Sequence, residues 1–281
     1  MTLGMPEMPR PLRRLATMLG GLLLIGGVVW SMARLDLSLN ELQLAPLVIN
    51  LLLVQPTILA IASLTLGISA RVIGSRIGFG DGLTAVSYAS FAEILPIPGG
   101  ALVRGAALMR AGANLRGATY VITLTAILTL TLLGALSSGA LMLMGTSQAW
   151  PVLIAMIVVT LVILYSIATR VSLGITASVL GVRLVTAAVG ATSIYFCLAA
   201  ISEQSGVLEA ALLTISGSLG TAVSIVPAGI GISEAIAAGL ATLTDIRPEA
   251  AFLAVALHRV LGLAVSLVTI AVMRLGRQAP L

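Results

Sequence analysis

Five ionisable side chains, Glu93, Arg104, Glu234, His258 and Arg259, stand in stretches that are otherwise apolar. A charge in hydrocarbon is costly, so it persists where it pairs, faces a wet cavity or touches a ligand. Arginine offers a planar five-donor fork with a permanent charge, which suits a pair of phosphate or carboxylate oxygens. These residue types point to holding and passing a polar, phosphate-bearing group. The expected arrangement brings Arg104 and Glu234 together, with Arg259 facing them; Glu93, His258 and Arg110 complete the candidate set. The alternative for Arg104 and Glu234 is a purely structural pair that pins two parts of the chain together. His258, the single histidine, is read more simply as a satisfied interior residue than as a ligand.

Other chemistries fit less well. One histidine and one cysteine, Cys197, do not make a typical zinc set, so neither a metal nor a cofactor is expected. Gly229-Ile-Gly231 lacks the soluble strand and helix that frame a dinucleotide loop. Gly231-Ile-Ser233 with His258 imitates the Ser–His dyad of an intramembrane serine hydrolase. However, Glu234 follows the serine, and no oxyanion donor stands out. The chain is not expected to be an enzyme.

Two segments must position these groups. One runs Glu93-Ile-Leu-Pro-Ile-Pro-Gly-Gly-Ala-Leu-Val-Arg104, the other Ser224-Ile-Val-Pro-Ala-Gly-Ile-Gly-Ile-Ser-Glu234. Pro96, Pro98, Gly99 and Gly100 break the first; Pro227, Gly229 and Gly231 break the second. A helix crossing lipid leaves no backbone group unsatisfied, so breakers beside a charge imply an element buried in protein or lining a cavity. The glycines would let backbone approach a headgroup or the other element; the blander reading is tight packing. The apolar arms around each break are too short to span at about 1.5 Å per residue. Each segment is therefore expected to be a re-entrant hairpin.

The surrounding chain is membrane-like throughout. It has 281 residues, 59% of them hydrophobic and 9% charged, and a mean hydropathy of +1.15. That excludes a soluble globular domain, and the runs are too long for barrel strands. Six spans are expected at residues 15–33, 42–69, 118–144, 151–169, 184–202 and 250–273. The first resembles a signal peptide but is read as a retained span. Pro46 and Pro56 predict a kink in the second. Residues 171–182, between Arg170 and Arg183, are too short to cross and are expected to lie at an interface.

All 15 basic residues are arginine, and the net charge is +5. With six spans and two hairpins, the arginine-rich segments 10–14, 71–76, 110–116, 170–183 and 274–277 fall on one side. This is the bias of a cytoplasmic face and not a nucleic-acid surface. Both termini are then cytoplasmic, in an inner (cytoplasmic) membrane. Residues 1–14 form a tail, and 15–145 and 151–277 form two repeats of opposite orientation, each with two spans, a hairpin and a span. That all-α polytopic, inverted-repeat plan is common among secondary transporters.

The same residues carry a resemblance. Pro96-Ile-Pro-Gly-Gly-Ala-Leu-Val-Arg104 with Leu108-Met-Arg110-Ala-Gly112, and Pro227-Ala-Gly-Ile-Gly-Ile-Ser-Glu234 with His258-Arg259, are similar to paired motifs of the lysylphosphatidylglycerol synthase transmembrane, flippase-like family. The resemblance implies a short member without the soluble aminoacyl-transferase domain. It also implies a lipid translocator whose partner is a phospholipid or lipid-linked headgroup, with a homo-oligomer as an option. The chain departs from the pattern at Ala101, where many relatives are acidic, and in residues 118–144, which lack a charged pair. The same architecture would also serve a secondary carrier for a small polar or anionic solute.

Overall fold

A computed structural model describes residues 25–35, 42–93, 99–203, 205–222 and 231–278, with side chains through residue 275. All regular structure among them is helical. α1 covers residues 25–34 and α2 is Leu44–Val72. Then follow α3 (Phe79–Ala92), α4 (Gly99–Arg110), α5 (Leu115–Leu143), α6 (Trp150–Ala168), α7 (Leu173–Ala200), α8 (Val207–Leu213), α9 (Ile215–Ala222), α10 (Ile232–Ala241) and α11 (Pro248–Gln278). Among the described residues, five helices are long and apolar enough to cross a membrane: α2, α5, α6 with the turn before it, α7 and α11. They match five of the six expected spans. The expected span 15–33 lies mostly outside the described residues, with α1 as its described end.

The outward faces are apolar. Leu52 and Leu53 of α2, Leu161, Val162 and Tyr165 of α6, and Val268 and Val272 of α11 are all exposed. Contiguous apolar surface on this scale is matched to lipid rather than water. The interior is built from small side chains. Ala250, Ala251 and Ala254 of α11 pack with Cys197 and Leu198 of α7 and with Ala237 and Ala241 of α10. Alanine at these contacts lets helix backbones approach closely, which drives packing where no hydrophobic effect separates protein from lipid.

The irregularity expected near Pro56 takes a specific form. α2 contains a π-helical turn, Asn50–Val54, immediately before Gln55 and Pro56. Proline lacks the N–H that would continue the α-helical ladder, and a wider turn absorbs the defect.

One expectation is corrected. Residues 171–182 are not a separate interfacial element. α7 runs unbroken for 28 residues from Leu173 to Ala200, and Ser172 caps it by accepting the Ile175 N–H at 3.4 Å. A single arginine does not interrupt a backbone hydrogen-bond ladder, and no proline lies in this run. Arg183 therefore sits well inside α7 and not at its end.

The two breaker segments correspond to two pairs of short helices. α3 packs along α4, and α9 packs along α10. Pro96, Pro98, Pro227 and Gly229 lie outside the described residues. The glycines that are described explain the close packing. A Cβ on Gly99 would collide with the Ala92 carbonyl, and one on Gly220 would collide with Ser233. Away from these pairs, Arg247 ties the α7–α8 connection to the start of α11 through Glu203, with Nη2 2.6 Å from Oε2. That hydrogen bond raises the Arg247 pKa above its ordinary value, so its charge is permanent at any working pH.

Candidate functional site

The first pair of short helices places a carboxylate and a guanidinium together. Glu93 follows the last residue of α3 and Arg104 lies on α4, and Arg104 Nη2 donates to Glu93 Oε1 at 2.8 Å. Gly100 makes room for this contact, since a Cβ there would meet the Glu93 carboxylate. The two side chains are 38% and 36% exposed, so solvent screens the pair and its contribution to stability is about 0.2–1 kcal/mol. Such a pair is cheap to open, which suits a group that must exchange partners.

These residues line a cavity of about 600 Å³. Its walls come from both halves of the chain: α2, α3, α4 and α5 on one side, α7 and α9 on the other. Hydroxyls of Thr65, Ser69, Thr125, Thr129, Thr186, Ser218 and Thr221 are interspersed with apolar side chains, and Gly99 and Gly100 bring the N-terminus of α4 to the wall. Helix N-termini carry partial positive charge and free N–H groups. A third charged residue also lines it, Arg183 of α7. The sequence reading placed Arg183 at an interface because charges were used there to mark helix ends. The signal available was the absence of any helix stop around it.

The second pair is built differently. Glu234, in the first turn of α10, is fully buried. Its Oε2 accepts the Gly231 N–H at 2.8 Å, and Arg259 Nε of α11 lies 3.0 Å from Oε1. That approach is close enough for strong attraction, although it is not aligned as a hydrogen bond to this oxygen. Gly231 has φ of 80°, a left-handed conformation that glycine adopts without strain. A carboxylate at this position both caps the helix and complements its dipole.

The expected pairing of Arg104 with Glu234 is therefore corrected. Arg104 takes Glu93, and Glu234 takes Arg259 as its cationic partner. The expectation that Arg259 faces Glu234 agrees with the structure. The reason is local: α3 packs along α4 and so brings Glu93 to Arg104, whereas Glu234 is directed back to its own helix start and toward α11. Glu234, His258 and Arg259 do not line the 600 Å³ cavity. Arg110 is exposed and lies at a separate opening with Arg76, Asp81 and Tyr88.

His258 belongs to a buried polar network that the sequence reading missed. Ser193 Oγ lies 2.7 Å from His258 Nδ1. Gln55 Nε2 donates to Ser193 Oγ at 3.0 Å, and Asn50 shares both the Ser193 hydroxyl and its carbonyl. The hydroxyl on Nδ1 is thus Ser193, not Ser233. The π-turn explains the network. Asn50 and Gln55 would sit about 140° apart on an α-helix, and the wider turn brings them onto one face. Replacing Gln55 by Leu is expected to cost about 1–3 kcal/mol, because buried partners on α7 and α11 lose a donor. Chemical unfolding of the solubilised protein measures this, and an unchanged midpoint would show that the network does not hold α2 in place.

No protein-family model matches the chain, and no curated protein matches it. What the geometry establishes by itself is an all-α, multi-span membrane protein, consistent with a transporter- or translocator-like architecture, with a charged, hydroxyl-lined cavity between its helices.

Proposed function

We propose that this protein is a lipid translocator, flippase- or scramblase-like, that passes a polar, phosphate-bearing headgroup through the cavity while the acyl chains stay in lipid. The observation that carries the reading is the cavity itself: about 600 Å³, lined by two arginines and one glutamate, and set among helices with apolar outer faces. The other helix contacts are apolar and close, whereas a headgroup crossing hydrocarbon needs a polar chamber of this kind. On this reading α3–α4 and α9–α10 are re-entrant hairpins from opposite faces, and the two halves are inverted repeats. Both termini are cytoplasmic in the inner membrane. The finer assignment, to the lysylphosphatidylglycerol synthase transmembrane family, rests on the paired proline–glycine motifs. The activity is transport and not catalysis, and assembly with a second copy is compatible with it.

A carrier for a small polar or anionic solute is the second reading. The cavity volume favours it, being within the range that holds small molecules. Proteoliposomes containing a headgroup-labelled phospholipid separate the two. The expected result is accelerated loss of signal from the inner leaflet on adding an impermeant quencher, and a rate reduced roughly tenfold in Arg104→Ala, the loss of one charge-assisted contact. A well-folded Arg104→Ala protein with the parental rate would remove Arg104 from the pathway.

A further inference from the structure

Among the described residues, no carboxylate forms an ion pair with Arg183. It stands ten residues beyond the start of α7, about 15 Å along the helix axis, too deep for a guanidinium to be left to bulk water without a cavity. Its Nε is buried and has no hydrogen-bond partner among the described residues. The acidic side chain that shares its cavity, Glu93, is already engaged by Arg104. Two guanidinium groups against one carboxylate leave the cavity with one excess positive charge. Unpaired charge at such depth is rare in membrane proteins and faces a ligand or ion path when it occurs.

The surroundings indicate which ligand. Thr186 lies one turn along α7 from Arg183, Ser218 and Thr221 face the cavity from α9, and α4 brings its N-terminus to the same wall at Gly99. Arginine forks and helix N–H groups donate to oxyanions; the Thr186 and Thr221 hydroxyls donate to the Val182 and Ser218 carbonyls of their own helices and would turn from them to meet a ligand. One surplus charge matches one negative charge, as on a phosphodiester. A zwitterionic headgroup would bring its own cation, and the carboxylate that could receive it is held by Arg104.

We infer that Arg183 and Arg104 form a two-guanidinium clamp for a phosphodiester monoanion, with the ligand supplying the counter-charge that the protein omits. The lipid form of this inference rests on the translocator reading; the anion site stands on the unpaired guanidinium alone. It selects anionic over zwitterionic headgroups of equal chain length.

The test uses the full chain in uncharged detergent micelles, with native mass spectrometry of bound phosphatidylglycerol and phosphatidylcholine of identical acyl chains. The parent should retain phosphatidylglycerol, and Arg183→Gln should weaken that retention roughly tenfold or more while leaving phosphatidylcholine unchanged. Arg183→Lys, which keeps the charge but loses the fork, should fall between them. In lipid-free micelles Arg183→Gln should melt no lower than the parent, because it removes an uncompensated charge. A folded Arg183→Gln with parental phosphatidylglycerol preference overturns the clamp. So does a lowered melting temperature with that preference intact, which marks a packing role. If Arg183→Gln does not fold, Thr186→Val tests the same wall: weakened phosphatidylglycerol retention supports the clamp, and parental retention overturns it.

Inorganic phosphate distinguishes the sources. Displacement of phosphatidylglycerol by phosphate in the parent, lost in Arg183→Gln, assigns the clamp to a free anion; no displacement assigns it to a lipid. The vesicle assay separates the two claims. Arg183-dependent binding in a protein that moves no lipid leaves the clamp and removes the translocator. Lipid movement with binding indifferent to Arg183 does the reverse.

Discussion

Glu234→Ala should destabilise the folded chain by about 3–5 kcal/mol, the cost of breaking a buried ion pair. The carboxylate is fully buried, so water does not compensate for its loss. Two groups lose this carboxylate together: the Arg259 guanidinium of α11, only 20% exposed, and the Gly231 N–H at the start of α10. Glu234→Gln should recover the cap, about 1 kcal/mol, because the amide oxygen still accepts from Gly231. It removes the negative charge that faces Arg259. The double substitution Glu234→Gln with Arg259→Met should recover part of that loss, since no buried charge then faces a missing counter-charge at this pair. Unfolding of the detergent-solubilised protein reads all three. A single substitution that leaves the midpoint unchanged would show that the pair does not hold α10 to α11. Transport by the stabilised double variant then decides its role: parental rates make the pair a structural pin, and lost transport makes it part of the path.

Gly99→Ala should cost about 1–3 kcal/mol, the range for forcing extra volume into a close contact. The added methyl meets the backbone carbonyl of Ala92, which moves only if α3 and α4 separate. Gly100→Ala makes an informative contrast. Its methyl meets the end of the Glu93 side chain, which can rotate away. Stability should then change little, because the screened Glu93–Arg104 pair contributes about 0.2–1 kcal/mol, but Arg104 loses its partner. Gly99→Ala is thus expected to lower the melting temperature, and Gly100→Ala to alter the transport rate at near-parental stability. Equal melting temperatures for parent and Gly99→Ala would mean that the two helices do not approach through this glycine.

The legible part of this protein is what depends on local composition. The membrane class and five helices long and apolar enough to cross, among the described residues, followed from apolar run lengths, which act one segment at a time. The proline–glycine breaks were visible for the same reason: Gly99 and Gly231 are backbone requirements that no distant residue relaxes. The candidate charges were legible as types, since any ionisable side chain in hydrocarbon invites an explanation.

Pairing was not legible. Glu93 and Arg104 meet because Gly99 and Gly100 let α3 and α4 pack closely, and Glu234 reaches Arg259 because alanines seat α10 against α11. The buried network of Asn50, Gln55, Ser193 and His258 needed a π-turn to bring two side chains onto one face, and hydrophobic periodicity does not record such a turn. Arg183 shows the difference most directly. Used as a boundary marker it appeared interfacial, but helix continuity carried it inward. Its environment was decided by which helices surround it. Residue order put a charge in this apolar run; only the packing of α2, α4, α5, α7 and α9 around a common cavity left that charge without a carboxylate partner among the described residues, because distance and desolvation are properties of the assembled bundle.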